Sequence, residues 1–234
     1  MFTSMNAAMR RGLLDSLPFL LVVVPFGMLF GVAATEAGLP IAQTMGFSFL
    51  VIAGAAQFTA LQLLQDNAPI VIVLLTSLAV NLRMAMYSAA LAPHLGEAKL
   101  WQKACAAYLM IDQSYALAHP AFERERAAPV RFKLAYFFST MIFMAPLWYL
   151  STFFGARLGA AVPDSFALDF AVPITFLALV APGLRSLPHV VAAGTSVVLA
   201  LALSWIPYSL GLIVAALIAM SAGAQTELWL ERRK

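Results

Sequence analysis

Three stretches of this chain are too long and too apolar to belong to a water-soluble domain. Residues 37–65 carry no charge over 29 positions and residues 134–156 none over 23; residues 186–226 carry none over 41, with His189 as their only imidazole. A helix needs about 20 mostly apolar residues to cross the hydrocarbon core of a bilayer. Strands of a membrane barrel would alternate apolar and polar positions over about ten residues, and these runs do not alternate. Composition agrees. Of the 234 residues 62% are hydrophobic and 11% charged, against about 25% charged in soluble domains. The expected fold is all-α, a polytopic membrane helical bundle with the lipid bilayer as its solvent.

Hydropathy and helix breakers divide the chain into about 8 spanning helices, some short or Pro-interrupted: residues 13–35, 43–64, 69–91, 100–118, 134–154, 169–184, 189–203 and 208–222. Arg10 and Arg11 precede the first run, which is of spanning length and so reads as a retained helix, not a cleaved leader. With eight spans both termini are cytoplasmic. The inner side then holds Arg10, Arg11, Arg124, Arg126, Arg131, Lys133, Arg185, Arg232, Arg233 and Lys234, and the outer side Lys99, Lys103 and Arg157. That asymmetry obeys the positive-inside rule. Six spans would serve equally if two short segments were re-entrant. Residues 1–234 form a single transporter domain, with possible halves 1–118 and 134–234 around the charged stretch 119–133. The net charge of +3 sits in loops and ends, where it sets topology and does not point to nucleic acid.

The informative residues are polar ones in oily surroundings. Arg83 falls near the middle of the apolar run 69–91. A cation there costs about 2.5–3.5 kcal/mol on insertion scales, so it needs a partner or a wet cavity. Asn81, Gln57 and Asp112 are the candidates. Tyr87, four residues on, shares a helical face with Arg83. Asn81 and Arg83 are two apart and cannot share one, so either the helix is interrupted or the two point to different neighbours. Gly54, Gln57 and Phe58 share a face of the second helix. Gln57 there is either an interhelical amide bond or part of a site. Tyr108, Asp112 and Tyr115 are spaced for one face of the fourth helix. Asp112 is fitted to carry a proton or to hold an amine. In the first helix, Gly27 and Gly31 permit close packing, while Pro25 could instead open the helix toward a cavity. Trp148 and Tyr149 read as an interfacial belt.

Several chemistries lack their residues. No phosphate-binding Gly-x-x-x-x-Gly-Lys and no His-Glu-x-x-His occurs. His94, His119 and His189 stand far apart, and Cys105 is the only cysteine, so no metal site, cofactor or disulfide is expected. Ser and Thr without a paired base make an enzyme the least favoured reading. One cation, one anion, two amides and tyrosines in an apolar wall suit a zwitterion with an oily side chain. The guanidinium can meet its carboxylate and the acid its ammonium. An uncoupled, channel-like pore for a small polar solute is the alternative.

The segments Pro25-Phe26-Gly27 with Phe30-Gly31, Gly54-Ala55-Ala56-Gln57-Phe58 and Asn81-Leu82-Arg83, together with the Asp112 region, resemble the AzlC family of branched-chain amino acid exporters. The resemblance implies the large subunit of a two-component secondary transporter in the bacterial cytoplasmic (inner) membrane. It also implies a small hydrophobic AzlD-type partner and valine, leucine, isoleucine or methionine as cargo. Gln113 stands where family members often carry a second acid next to the first. Asp112 is then the remaining acid at that place.

Overall fold

The computed structural model describes residues 4–159, 184, 186–206 and 210–232, and every regular element among them is helical. The elements are α1 (Met5–Ser16), a 3-10 turn (Leu17–Phe19), α2 (Leu20–Glu36), α3 (Ile41–Leu50), α4 (Gly54–Gln65), α5 (Ile70–Leu95), α6 (Leu100–Tyr108), α7 (Asp112–Arg124), α8 (Val130–Gly159), α9 (Leu187–Ala202) and α10 (Leu210–Glu231). Four stretches are long and apolar enough to cross a membrane: Met5–Glu36, Ile70–Leu95, Val130–Gly159 and Leu210–Glu231. The segment expected at 169–184 lies, but for Leu184, outside the described residues. The chain forms two compact units, one of residues 1–61 with 77–166 and one of residues 62–76 with 167–234.

In the first unit, α1 and α2 run along α8 in the same direction. A Cβ on Gly12 would overlap Tyr136 and Ser139; one on Gly27 would meet Ser151 and Trp148; one on Gly31 would strike the backbone of Thr152, Gly155 and Ala156. From the other side, Gly155 abuts the Met28 backbone and Gly159 abuts Val32 and Thr35. Both sets of numbers rise together, so the helices are parallel. Packing, not cavity formation, is what Gly27 and Gly31 provide. Helix α2 is continuous through Pro25, so the opened-helix reading is set aside. The departure from α geometry falls at residues 17–19, beside Pro18.

The runs expected as single helices at 43–64 and 100–118 are each broken. Val51 is extended (φ −140°, ψ 101°) and separates α3 from α4. Ile111 is extended (φ −129°, ψ 169°) and separates α6 from α7. Each broken segment is a re-entrant hairpin. Going inward along α3, Phe47 faces Phe30, Ser48 bonds Thr152 and Phe49 stacks on Tyr149, a course back down α8. Along α4 the direction reverses, since Gly54 lies against Phe26 and Trp148 while Phe58 packs on both Phe26 and Phe30. Helix α6 starts beside the end of α5, where Lys103 Nζ donates to the Gly96 carbonyl at 2.7 Å, and reaches inward to Tyr108. Helix α7 starts beside Arg83 in mid-α5 and returns to His94 at the α5 end.

The two hairpins enter from opposite ends and meet at their tips. The Tyr108 hydroxyl donates to the Phe49 carbonyl at 2.6 Å, so the Tyr149 hydroxyl, 2.9 Å away, is the donor to Tyr108 oxygen. Ile52 and Ile111, one from each break, share a core with Val23, Met141, Met144 and Trp148. Trp148 is therefore buried among rings and small residues and does not belong to an interfacial belt. A second core, with Leu91, Leu95, Met110, Phe122, Leu134 and Phe137, closes the α5–α8 end.

This topology corrects the placement of Lys99 and Lys103. Because α6 and α7 return to the end they left, both lysines lie at the same end as Arg124, Arg126, Arg131 and Lys133. Arg10 and Arg11 begin the parallel α1 there too. At the opposite end of this unit stand Glu36 and Arg157. Helix α7 runs to Arg124 and α8 begins at Val130, so within the charged stretch 119–133 only residues 125–129 are non-helical. In the second unit, Asn67 takes a positive φ of 53° in the turn between α4 and α5. Helices α9 and α10 form an antiparallel pair, with Gly211 against Leu203 and Gly223 against Pro188 and Ala192.

Gly31→Ala is expected to destabilise the protein by about 1–3 kcal/mol, since its Cβ would meet main-chain atoms of α8 that have no rotamer to change. Gly46 has nothing within 4 Å of its would-be Cβ, so Gly46→Ala is expected to be neutral or stabilising by about 0.5–1 kcal/mol. Thermal unfolding of both variants in detergent, followed by tryptophan fluorescence, checks the contrast.

Candidate functional site

Helix α5 presents an inward row of Arg83, Tyr87, Leu91 and His94 and turns Leu74, Leu78, Leu82 and Met86 outward. No interruption occurs at residues 81–83, so Asn81 and Arg83 point to different neighbours. Asp112 is the first residue of α7. A carboxylate there is favoured by the positive end of the helix dipole. Ser114 Oγ accepts from the Ile111 N–H at 2.9 Å and so caps the same helix start.

These elements bring three expected residues together. Arg83 Nη1 lies 3.0 Å from Asp112 Oδ2, and the Tyr87 hydroxyl donates to Asp112 Oδ1 at 2.9 Å. The Tyr87 ring stacks on Tyr115 with centroids 4.1 Å apart and planes 10° from parallel. Arg83 and Asp112 side chains are 33% and 42% exposed. The ion pair is thus reachable and not sealed in a dry core. Arg83 Nε and Asn81 Oδ1 are buried and without a hydrogen-bond partner. The guanidinium Nε–H is thus left without an acceptor.

Gln57 takes a different place. It is 1% exposed, and its Nε2 donates to Ser48 Oγ at 3.3 Å, which in turn contacts Thr152 Oγ1 at 3.2 Å. The amide therefore ties the two arms of the first hairpin to each other and to α8. Its Oε1 is buried with no partner. Gly54 leaves room for the Phe26 and Trp148 rings, and Phe58 fills an aromatic cluster with Phe26 and Phe30. Among the described residues, Gln57 bonds Ser48 and not the Arg83–Asp112–Tyr87 group. Tyr108, expected on the Asp112 face, is turned away by the helix break and ties the hairpin tips.

Sequence spacing did not bring out two further residues. His94 and His119 are 25 positions apart, yet their rings meet edge to face at 6.4 Å, and His94 Nε2 lies 2.9 Å from Glu123 Oε1. The signal was present as helical spacing, since Asp112, Tyr115, His119 and Glu123 recur every three or four residues. Among the described residues no group of three His, Cys, Asp or Glu side chains is placed to hold a metal ion.

Comparison with known proteins bears on the same segment. The family model described as AzlC protein matches residues 18–162, which include both hairpins and all the candidate residues above. An uncharacterized membrane protein of Archaeoglobus fulgidus is 29% identical over 219 residues, 92% of this chain and 93% of that protein. The inner membrane protein YgaZ of Escherichia coli K12 is 26% identical over 184 residues, 74% of this chain and 71% of its own length. An uncharacterized membrane protein of Helicobacter pylori 26695 is 25% identical over 165 residues, 70% of each chain. No solved structure matches.

Removing one partner of the ion pair leaves the other charge unpaired, Arg83 in mid-α5 or Asp112 at the start of α7. Insertion scales put that at about 2.5–3.5 kcal/mol, an upper figure for a side chain that water partly reaches. Arg83→Gln and Asp112→Asn are each expected to lower the unfolding temperature, and the double variant to recover part of the loss. Thermal unfolding of the three purified variants tests it, and strictly additive losses would show that the two side chains are not coupled.

Proposed function

The chain belongs to the AzlC family, and from that premise we propose that it is the large subunit of a secondary transporter exporting branched-chain amino acids from the bacterial cytoplasm. A transport role is what membership of this membrane family supports, and the spanning helices agree with it. The inner-membrane name of the Escherichia coli relative supports the same membrane for this protein. The concentration of Arg and Lys at one end of the first unit supports a cytoplasmic position for that end.

The observation that carries the substrate class is the half-exposed Arg83–Asp112 pair at a hairpin tip. A zwitterion can enter such a pair without stranding a charge. Its carboxylate takes the guanidinium in bidentate fashion, and its ammonium takes the Asp112 carboxylate. Both new contacts replace one old contact, so the desolvation cost of the protein charges stays offset throughout. The Tyr87 hydroxyl holds Asp112 in place meanwhile. Apolar side chains suit the aliphatic surroundings. Hairpins that enter from opposite ends supply one movable arm for each side of the membrane, as alternating access requires. The outward apolar row of α5, Leu74 to Met86, suits either lipid or a small hydrophobic partner of the AzlD type.

The test is leucine, isoleucine, valine and methionine binding to the purified protein, alone and co-expressed with the small partner, followed by counterflow in proteoliposomes. At least one aliphatic amino acid is expected to bind and exchange. Arg83→Lys keeps the charge but not the planar fork, and is expected to lose transport while still inserting. Absence of binding to either form would remove the substrate assignment.

A further inference from the structure

The two hairpins begin their return arms differently. Helix α7 starts with its own carboxylate, Asp112, whereas α4 has no acid in its first turn. We propose that the start of α4, with Trp148 and Gln57 beside it, is a second binding site for the amino acid cargo. It holds the carboxylate through backbone and indole N–H groups, and it rests on the transport reading above.

The first helical bond of α4 runs from the Gln57 N–H to the Ala53 carbonyl at 3.0 Å. The N–H groups of Gly54, Ala55 and Ala56 therefore have no acceptor within the helix. No residue from 51 to 56 has a polar side chain to cap them. In hydrocarbon such donors need a partner, and the positive end of a helix suits an anion. Gly54 and Ala55 are partly exposed, so a ligand can reach this end.

Two buried side chains mark the same region. Trp148 is 5% exposed, and its Nε1–H has no acceptor. Its ring runs between α2 and α4. Cε3 lies 3.3 Å from where a Cβ on Gly27 would stand, and Cη2 lies 3.1 Å from where one on Gly54 would. Gln57, one turn into α4, is 1% exposed; its Nε2 is held by Ser48, while its Oε1 has no donor. The unpaired set is thus main-chain and indole donors with one amide acceptor.

An α-amino acid complements that set group for group. Its carboxylate takes the N–H groups, and its ammonium donates to Gln57 Oε1. The Phe26 and Phe58 rings, with centroids 5.2 Å apart, give an aliphatic side chain an apolar wall. Phe26 covers Gly54, and a ring, unlike main chain, can turn aside to another rotamer. Only neutral groups of the protein take part, which separates this site from the Arg83–Asp112 pair. At the pair, a ligand without an ammonium strands Asp112 beside a second carboxylate. At α4 the same ligand leaves one amide oxygen as it was.

The test is equilibrium binding of leucine and of 4-methylpentanoate, its analogue without the ammonium, to the purified protein alone and with its small partner. Stoichiometry and tryptophan fluorescence are the readouts. Two leucines per protein are expected, but one 4-methylpentanoate, with an emission change that vanishes in Trp148→Phe. That variant keeps a ring but not the N–H, and is expected to weaken 4-methylpentanoate binding at least about tenfold. Arg83→Lys is expected to leave 4-methylpentanoate binding unchanged. If Trp148→Phe does not insert, the wild-type stoichiometries decide. One leucine per protein overturns the proposal, and so does leucine binding by a protein that ignores 4-methylpentanoate. Unchanged 4-methylpentanoate affinity in an inserted Trp148→Phe does the same. Absence of any leucine binding sinks the transport reading itself, and the second site falls with it.

Discussion

A guanidinium halfway along a 26-residue apolar helix has to be met by something that bears charge. That single demand organises the second hairpin. The partner cannot come from a loop, because the loops lie more than 15 Å away along α5 by the helix rise. It comes instead from a helix that starts inside the bundle. Breaking the chain at residues 109–111 places Asp112 at the N-terminus of α7, where the dipole and the guanidinium both favour a carboxylate. The break leaves backbone groups without helical partners, which hydrocarbon does not tolerate. Protein supplies them: Ser114 serves the Ile111 N–H and the Leu109 carbonyl, and the Leu109 and Met110 N–H groups donate to the Cys105 and Ala107 carbonyls.

The first hairpin meets the same demand with neutral groups. Gln57, Ser48 and Thr152 link its two arms to α8. It also depends on how closely α2 and α8 approach. Glycines at 27, 31, 155 and 159 bring the two backbones together, and the space that remains at residue 54 is taken by the Phe26 ring. Larger residues at these places would push α2 away from α8 and open the tip. Small-residue packing in the long helices therefore sets the geometry of the short ones.

The sequence made the Arg83–Asp112–Tyr87 cluster more legible than the helix breaks. Arg83, Asp112 and Tyr87 stood out because a charge in hydrocarbon is costly, and a costly residue constrains its partners. The helix breaks carried no such mark. Val51-Ile52-Ala53 and Leu109-Met110-Ile111 are as apolar as any helix interior, and neither contains glycine or proline. Pro25, the proline that drew attention, sits inside an unbroken helix, as do Pro93, Pro120 and Pro146. In a membrane, neighbouring helices supply the bonds that a proline removes, so proline is a poor guide to where a helix ends. His94 and His119 were hidden for another reason. Their meeting depends on α5 and α7 running in the same direction, which only a re-entrant segment allows.

Re-entry also settles an apparent conflict in the charges. If α6 and α7 formed one spanning helix, Lys99 and Lys103 would face the side opposite to Arg124, Arg126, Arg131 and Lys133. With the hairpin folded back, all six share one end with Arg10 and Arg11. Within this unit the asymmetry is then stronger than an eight-span arrangement gives the same residues, and it arises without moving a single residue in the sequence. The same fold-back puts the mid-membrane acid and the basic end on one short helix. A protein that must bring a charged group to the middle of a bilayer and keep it in touch with water can do so with one interrupted segment, provided the helices around it pack closely enough to cover the break.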